Sequence, residues 1–193
     1  LWQLRNMPGL TVIRPADGRE VAGAYAAYME RQGPCVLVLS RQNLPYLDGS
    51  KPEEVMKGAY IVQDVEGKPD LILLGTGSEV SLCVSAAKLM EGKKVRVVSM
   101  PSMEIFEEQS EEYKKSVLLE GVPVMGVEAG ATHGWERYTH YQVGIDQFGT
   151  SAPAVKVFEK MGLTAEVVAS KATKVVAYYA THPVPPKMEE FGF

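Results

Sequence analysis

The sequence lacks a block of basic residues, a long apolar run and a cysteine framework, and each absence removes a class of function. Lysine and arginine number 20 against 24 acids in 193 residues, for a net charge of −4. Without a basic stripe to neutralise phosphates, nucleic-acid binding has no support. No apolar stretch approaches the roughly 20 residues that cross a bilayer, and no signal-peptide pattern opens the chain. Leu1 is not an initiator methionine, so a longer protein is compatible with the sequence. The two cysteines, Cys35 and Cys83, sit in an apolar strand pattern and an apolar helix pattern. They read as reduced core thiols of a reducing compartment rather than as a disulfide or metal pair.

Chemical signatures are equally sparse. There is no Gly-Lys-Ser/Thr phosphate loop and no Gly-x-Ser-x-Gly elbow. His133, His140 and His182 lack zinc-ligand spacing and read as surface or core residues.

What is present is α/β patterning. Asp70 to Leu74 is a strand-like run entering the turn Gly75-Thr76-Gly77-Ser78, and apolar residues then recur at Val80, Cys83, Val84, Ala87 and Met90. That spacing marks one buried helical face, and Val95–Val98 follows as a second strand. Strand, helix and strand in this length predict a βαβ unit with parallel neighbours. Residues 10–39 predict another. Pro15 closes its first strand, Asp17 caps a helix with Glu20 three positions on, and the helix buries Val21, Ala24, Tyr25 and Tyr28. Gly33-Pro34 ends it, and the run Cys35–Leu39 reads as an internal parallel strand.

Residues 49–58, with Gly49, Ser50 and Pro52, read as a linker between domains, followed by an edge strand over Tyr60–Val65. A charged helix at 110–118, with Glu111 and Glu112 facing Lys114 and Lys115, reads as a solvated surface. Val122–Glu128 reads as a third strand. The aromatics Trp135, Tyr138 and Tyr141 fit either a contact surface or core packing. Ser151 and Pro153 start one helix and Thr164 caps another running to about Tyr179, after which the proline-rich tail from His182 is non-helical. The fold class is therefore α/β, a doubly wound, mostly parallel sheet preceded by a partial βαβ piece of another α/β domain.

Three places carry candidate chemistry. Gly75-Thr76-Gly77 begins like a dinucleotide fingerprint, but Val80 holds the third glycine position and no acid ends the next strand. Thr76, Gly77 and Ser78 therefore have two readings. One is a capping box with Glu79 reaching back; the other is an anion site at the helix start. Glu128 lies at the end of a parallel strand, where active residues of such sheets gather. Arg41 follows a buried strand among Ser40, Gln42 and Asn43, with no acid nearby until Asp48. A guanidinium there suits bidentate recognition of phosphate, or bonding to backbone carbonyls.

Several stretches, taken in order, resemble the C-terminal portion of transketolases. They are Arg14-Pro15-Ala16-Asp17-Gly18, Ser40-Arg41-Gln42-Asn43-Leu44-Pro45, Gly75-Thr76-Gly77-Ser78-Glu79, Val97-Val98-Ser99-Met100-Pro101 and Gly144-Ile145-Asp146-Gln147-Phe148-Gly149. The resemblance covers essentially the whole chain. It implies that residues 1–48 end a pyrimidine-binding domain and that residues 59–193 are the family's C-terminal domain. It implies ketol transfer between sugar phosphates by a cytoplasmic homodimer using thiamine diphosphate and a magnesium or calcium ion, with Arg41 gripping the sugar phosphate. The family's Gly-Asp-Gly metal motif is absent, and its cofactor-activating carboxylate, pyrimidine pocket and substrate histidines lie upstream. So the resemblance implies no cofactor, metal or catalytic residue on these 193 residues. A dihydroxyacetone synthase shares the architecture, and an assembly module or a regulatory phosphate-binding domain remains an alternative role.

Overall fold

The computed structural model of the chain describes residues 1–187. One helical turn, α1 (Trp2–Arg5), precedes β1 (Thr11–Ile13), α2 (Gly18–Arg31) and β2 (Cys35–Leu37). A 3-10 helix over Pro52–Lys57 leads to β3 (Tyr60–Gln63), β4 (Leu71–Gly75), α3 (Glu79–Leu89) and β5 (Val95–Ser99). Then come α4 (Met103–Glu107), α5 (Glu111–Val117), β6 (Val124–Val127), a short 3-10 turn (Trp135–Arg137), β7 (Tyr141–Val143), α6 (Ala154–Met161) and α7 (Ala165–Tyr179).

β1 and β2 pair in parallel as a separate two-stranded sheet. The remaining strands form a sheet in the order β3-β5-β4-β6-β7, parallel throughout except for β3, which runs antiparallel at one edge. The α/β fold with a mostly parallel sheet is the one the patterning implied.

β4 explains why the sheet is covered on both sides. Leu71 and Leu73 enter one core with Val80 and Cys83 of α3 and Val168 and Ala172 of α7. Ile72 and Leu74 enter the opposite core with Phe106, Val117 and Trp135. A strand buried on both faces has no polar face to alternate with, hence the continuous apolar run. Register then aligns the carboxyl ends: Gly75 pairs with Ser99 on one side and with Val127 on the other. Thr76, Met100 and Glu128 emerge side by side.

Several expectations are corrected. α2 buries Glu20, Gly23, Ala24 and Ala27, whereas Tyr25 and Tyr28 are exposed. Its inner face must be small, because a Cβ at Gly23 would sit 2.2 Å from the Pro52 carbonyl oxygen. β2 stops at Leu37 and is half-buried, since β1 is its only pairing neighbour among the described residues. Residues 49–58, read as a linker, are packed rather than loose: Ser50 and Val55 are buried, and a Cβ on Gly49 would meet the Val62 carbonyl oxygen at 1.8 Å.

The charged helix α5 is not wholly solvated, since Lys114 is buried and paired with Glu111 and Glu107. Trp135 and Tyr138 belong to the core, while Tyr141 is exposed. α6 follows Pro153 with no side-chain cap from Ser151, whereas Thr164 does cap α7, its hydroxyl accepting from Val167 N.

Candidate functional site

Ligands of open α/β sheets bind at the carboxyl ends of the strands. In the five-stranded sheet that edge presents Thr76 and Glu79 after β4, Ser99 at the end of β5 and Glu128 after β6. The chain's own first 20 residues fill it. Arg5 donates both terminal nitrogens to Glu128, each at 2.9 Å, and Trp135 Nε1 donates to the same carboxylate at 2.9 Å. Arg14 lies 2.5 Å from Glu79 Oε2 and 3.7 Å from Glu128 Oε1, and donates to the Thr76 carbonyl at 2.5 Å. Glu79 also accepts from Ala129 N at 2.9 Å. Two cations thus meet two anions out of solvent. Such a cluster holds only because each charge has partners, and an orphaned member would be costly.

The backbone closes the same edge. Arg14 N donates to the Pro101 carbonyl at 2.8 Å and Gly77 N to the Arg14 carbonyl at 3.1 Å. Gly77 adopts φ +58°, and a Cβ there would press within 2.7 Å of the Arg14 guanidinium carbon, so both backbone shape and close approach require glycine.

Beside this cluster, Glu20 is fully buried and accepts from Ala16 N at 2.6 Å, Tyr60 Oη at 2.7 Å and Ser99 Oγ at 2.6 Å. Burial pushes the Glu20 carboxyl up from its usual range, and burial beside Glu20 pushes the Tyr60 phenol up.

The capping-box reading of Thr76–Glu79 is therefore corrected. The Thr76 hydroxyl is buried without a hydrogen-bond partner among the described residues, and Glu79, instead of reaching back to Thr76 N, pairs with Arg14 and accepts from Ala129 N. The buried guanidinium is the stronger attractor. As for the candidate anion site, Gly77 has committed its amide, Ser78 Oγ donates to Glu79, and the adjacent carboxylate carries negative charge. At Asp17 the expected cap is present, Oδ1 accepting from Arg19 N and Glu20 N at 2.9 Å each.

Arg41 lies at the other carboxyl edge, on the loop after β2. It is exposed, and it is the only arginine among the described residues with neither a hydrogen bond nor an ion pair. Arg5, Arg14, Arg31, Arg96 and Arg137 each meet a carboxylate, and Arg19 donates to the Leu47 carbonyl. Its loop walls a cleft of about 310 Å³ together with Pro15, Asp17, Gly18 and Val21 at the start of α2.

No histidine among the described residues forms a hydrogen bond or ion pair with Glu79, Glu128 or Arg41. His140 Nδ1 accepts from Val124 N at 3.0 Å, which places the proton on Nε2, 2.9 Å from the Pro185 carbonyl. Burial lowers the His140 pKa. His133 lies 3.9 Å from Glu136, three residues on, and both are exposed. No group of three His, Cys, Asp or Glu side chains among the described residues comes together to hold a metal ion.

Residues 1–46 match the pyrimidine-binding domain of transketolase, and residues 58–164 match the transketolase-like C-terminal domain. The chain belongs to the transketolase family. It is 49% identical to transketolase 1 of Saccharomyces cerevisiae across 93% of its own length and 27% of that protein. It superposes on the transketolase of Leishmania mexicana with a TM-score of 0.93 and 44% identity, covering 97% of this chain and 28% of that one. A Pichia stipitis transketolase in complex with sedoheptulose-7-phosphate gives a TM-score of 0.93 and 43% identity over 98% of this chain and 28% of that one. The chain thus spans about a quarter of the length of these three transketolases. Among the described residues, no helix is long and apolar enough to cross a membrane.

Arg5, Arg14 and the cross-chain role of Glu79 were not legible beforehand. Arg14 to Glu79 spans 65 positions and Arg5 to Glu128 spans 123, and neither pairing leaves a local spacing signal.

Proposed function

We propose that this chain is the substrate-phosphate arm and structural domain of a transketolase. The complete enzyme moves a two-carbon ketol unit between sugar phosphates, as a cytoplasmic homodimer using thiamine diphosphate and a divalent metal. Arg41 grips the phosphate of the sugar. The observation that carries this reading is the unspent guanidinium: every other arginine among the described residues is already engaged, whereas Arg41 is exposed on a loop whose neighbouring residues wall a cleft. Its planar fork presents parallel N–H donors matched to two phosphate oxygens. The Pichia stipitis relative bound to a sugar phosphate supports the ligand class.

The donor set for the cofactor and its metal does not fit here. No three metal-ligating side chains converge among the described residues, and the two acids at the sheet edge already answer Arg5 and Arg14. No step of ketol transfer is therefore assigned to these residues, and the C-terminal domain acts as scaffold. A ketol-transfer assay on the 193 residues supplied with thiamine diphosphate and magnesium tests this division of labour. No turnover above background is expected, and turnover would overturn it.

A further inference from the structure

The loop that carries Arg41 is almost free of internal support. Ser40, Arg41, Gln42 and Asn43 make no hydrogen bond to any described residue. What positions the loop is found at its two ends, and both ends are tied to the same strand-to-helix turn. At the near end, Val38 N donates to the Ile13 carbonyl at 2.9 Å, just before that turn. At the far end, Leu47 is gripped twice. Its N–H donates to Asp17 Oδ2 at 2.9 Å, and its carbonyl accepts from Arg19 at 3.1 Å. Tyr46 adds a packing contact. The Arg19 guanidinium lies 5.7 Å from its ring centre, and the ring lies so close to Gly18 that a Cβ there would meet the hydroxyl at 2.9 Å.

Asp17 divides its work between its two oxygens. Oδ1 accepts from Arg19 N and Glu20 N and so caps α2. Oδ2 accepts from Leu47 N and from Ser50 Oγ, the latter at 2.6 Å, and so serves the loop alone. Helix capping needs only the first oxygen. The second is spent on fixing where the loop returns.

We infer that Asp17 and Arg19 are positioning residues for sugar-phosphate binding, clamping Leu47 so that the eight residues from Leu39 to Tyr46 hold Arg41 at a fixed reach. This rests on the reading of Arg41 as the phosphate ligand. Neither residue is assigned contact with the substrate. Arg19 is exposed and Asp17 is buried, and both act through the span of the loop. A bidentate phosphate contact is sensitive to such placement, because displacement of a binding group by about 1 Å suffices to weaken binding severely.

The test is steady-state kinetics on the complete enzyme, comparing a phosphorylated sugar with an unphosphorylated ketol donor. Variants are Arg19→Gln, Asp17→Asn and Arg41→Gln, with each of the first two also combined with Arg41→Gln. Arg19→Gln is the safeguard if Asp17→Asn fails to fold, since Arg19 is exposed. The expected result for either clamp variant is a KM for the phosphorylated sugar raised roughly five- to twentyfold, with kcat and the KM of the unphosphorylated donor unchanged. In the Arg41→Gln background the same substitutions should add nothing, because the group they position is gone. If Arg41→Gln raises KM but the clamp variants do not, or if they act equally on both donors or add to Arg41→Gln, the inference is overturned while the role of Arg41 stands. If Arg41→Gln itself leaves the KM of the phosphorylated sugar unchanged, the underlying reading fails first.

Discussion

Arg14 and Glu79 meet at 2.5 Å out of solvent, joining the end of β1 to the start of α3 across 65 residues. The carboxyl edge where an α/β domain would bind a ligand is thereby occupied by the chain's own cation. Truncating one partner leaves the other buried and uncompensated, whereas replacing both with apolar groups removes the need for a partner. Glu79→Ala should cost about 3–5 kcal/mol in urea unfolding, and the double variant Arg14→Leu/Glu79→Leu clearly less than the sum of its singles. Additive losses would show that the two side chains are not coupled.

Trp135 donates to Glu128 from a fully buried indole. Trp135→Phe keeps most of the packing but removes that donor, and should lower stability by about 1–2 kcal/mol. Adding Glu128→Gln should not restore it, since Arg5 would then also lose its ionic partner. Chemical denaturation of the parent and these two variants checks both statements.

Gly23 sets propensity against packing. In an exposed helix, Gly→Ala stabilises by up to about 1 kcal/mol. Here the added methyl would lie 2.2 Å from the Pro52 carbonyl oxygen and 2.8 Å from a methyl of Val55. Overpacking of this kind costs about 1–3 kcal/mol, so Gly23→Ala should lower the melting temperature rather than raise it.

A buried group and a half-buried one give opposite pH responses. Burial, the largest cause, raises the Glu20 pKa above its ordinary 4.5. The folded state then binds more protons than the unfolded one, so this contribution is present below 4.5 and is lost as pH rises through the folded value. Glu20→Gln should therefore gain stability relative to the parent as pH is raised from 4.5, read from urea midpoints. Its amide still presents an oxygen to Ala16 N.

Burial, again the largest cause, lowers the His140 pKa below 6.5. The groups facing it are Val124 N, the Pro185 carbonyl, Lys187 and the Tyr179 ring. Here the unfolded state binds more protons, so stability is lost as pH falls from 6.5 toward the folded value. His140→Gln should flatten that part of the curve.

Much of this architecture was written locally in the sequence. The double-faced run of β4, the Asp17 cap and the Thr164 cap each depend on residues within a few positions of one another, and the structure shows each. What was not legible depends on distance. The turn of Glu79 toward Arg14 is set by that buried cation, the burial of Lys114 by Glu107 of α4 as well as Glu111, and the need for glycine at position 23 by the Pro52 carbonyl. A helix pattern shows which residues are apolar but not how closely the neighbouring backbone approaches, so small Gly23 and Ala27 were passed over for tyrosines. Arg41 was visible as a candidate because no acid lies near it in sequence. That its guanidinium is the only arginine left unengaged among the described residues is a statement only the fold could supply.

The role of Arg41 is tested most directly by the KM of the complete enzyme carrying Arg41→Gln, measured with a phosphorylated and an unphosphorylated substrate. Loss of one charge-assisted phosphate contact predicts a rise of about 10- to 100-fold for the phosphorylated substrate and essentially none for the other. An equal effect on both substrates, or no effect on either, would contradict the account.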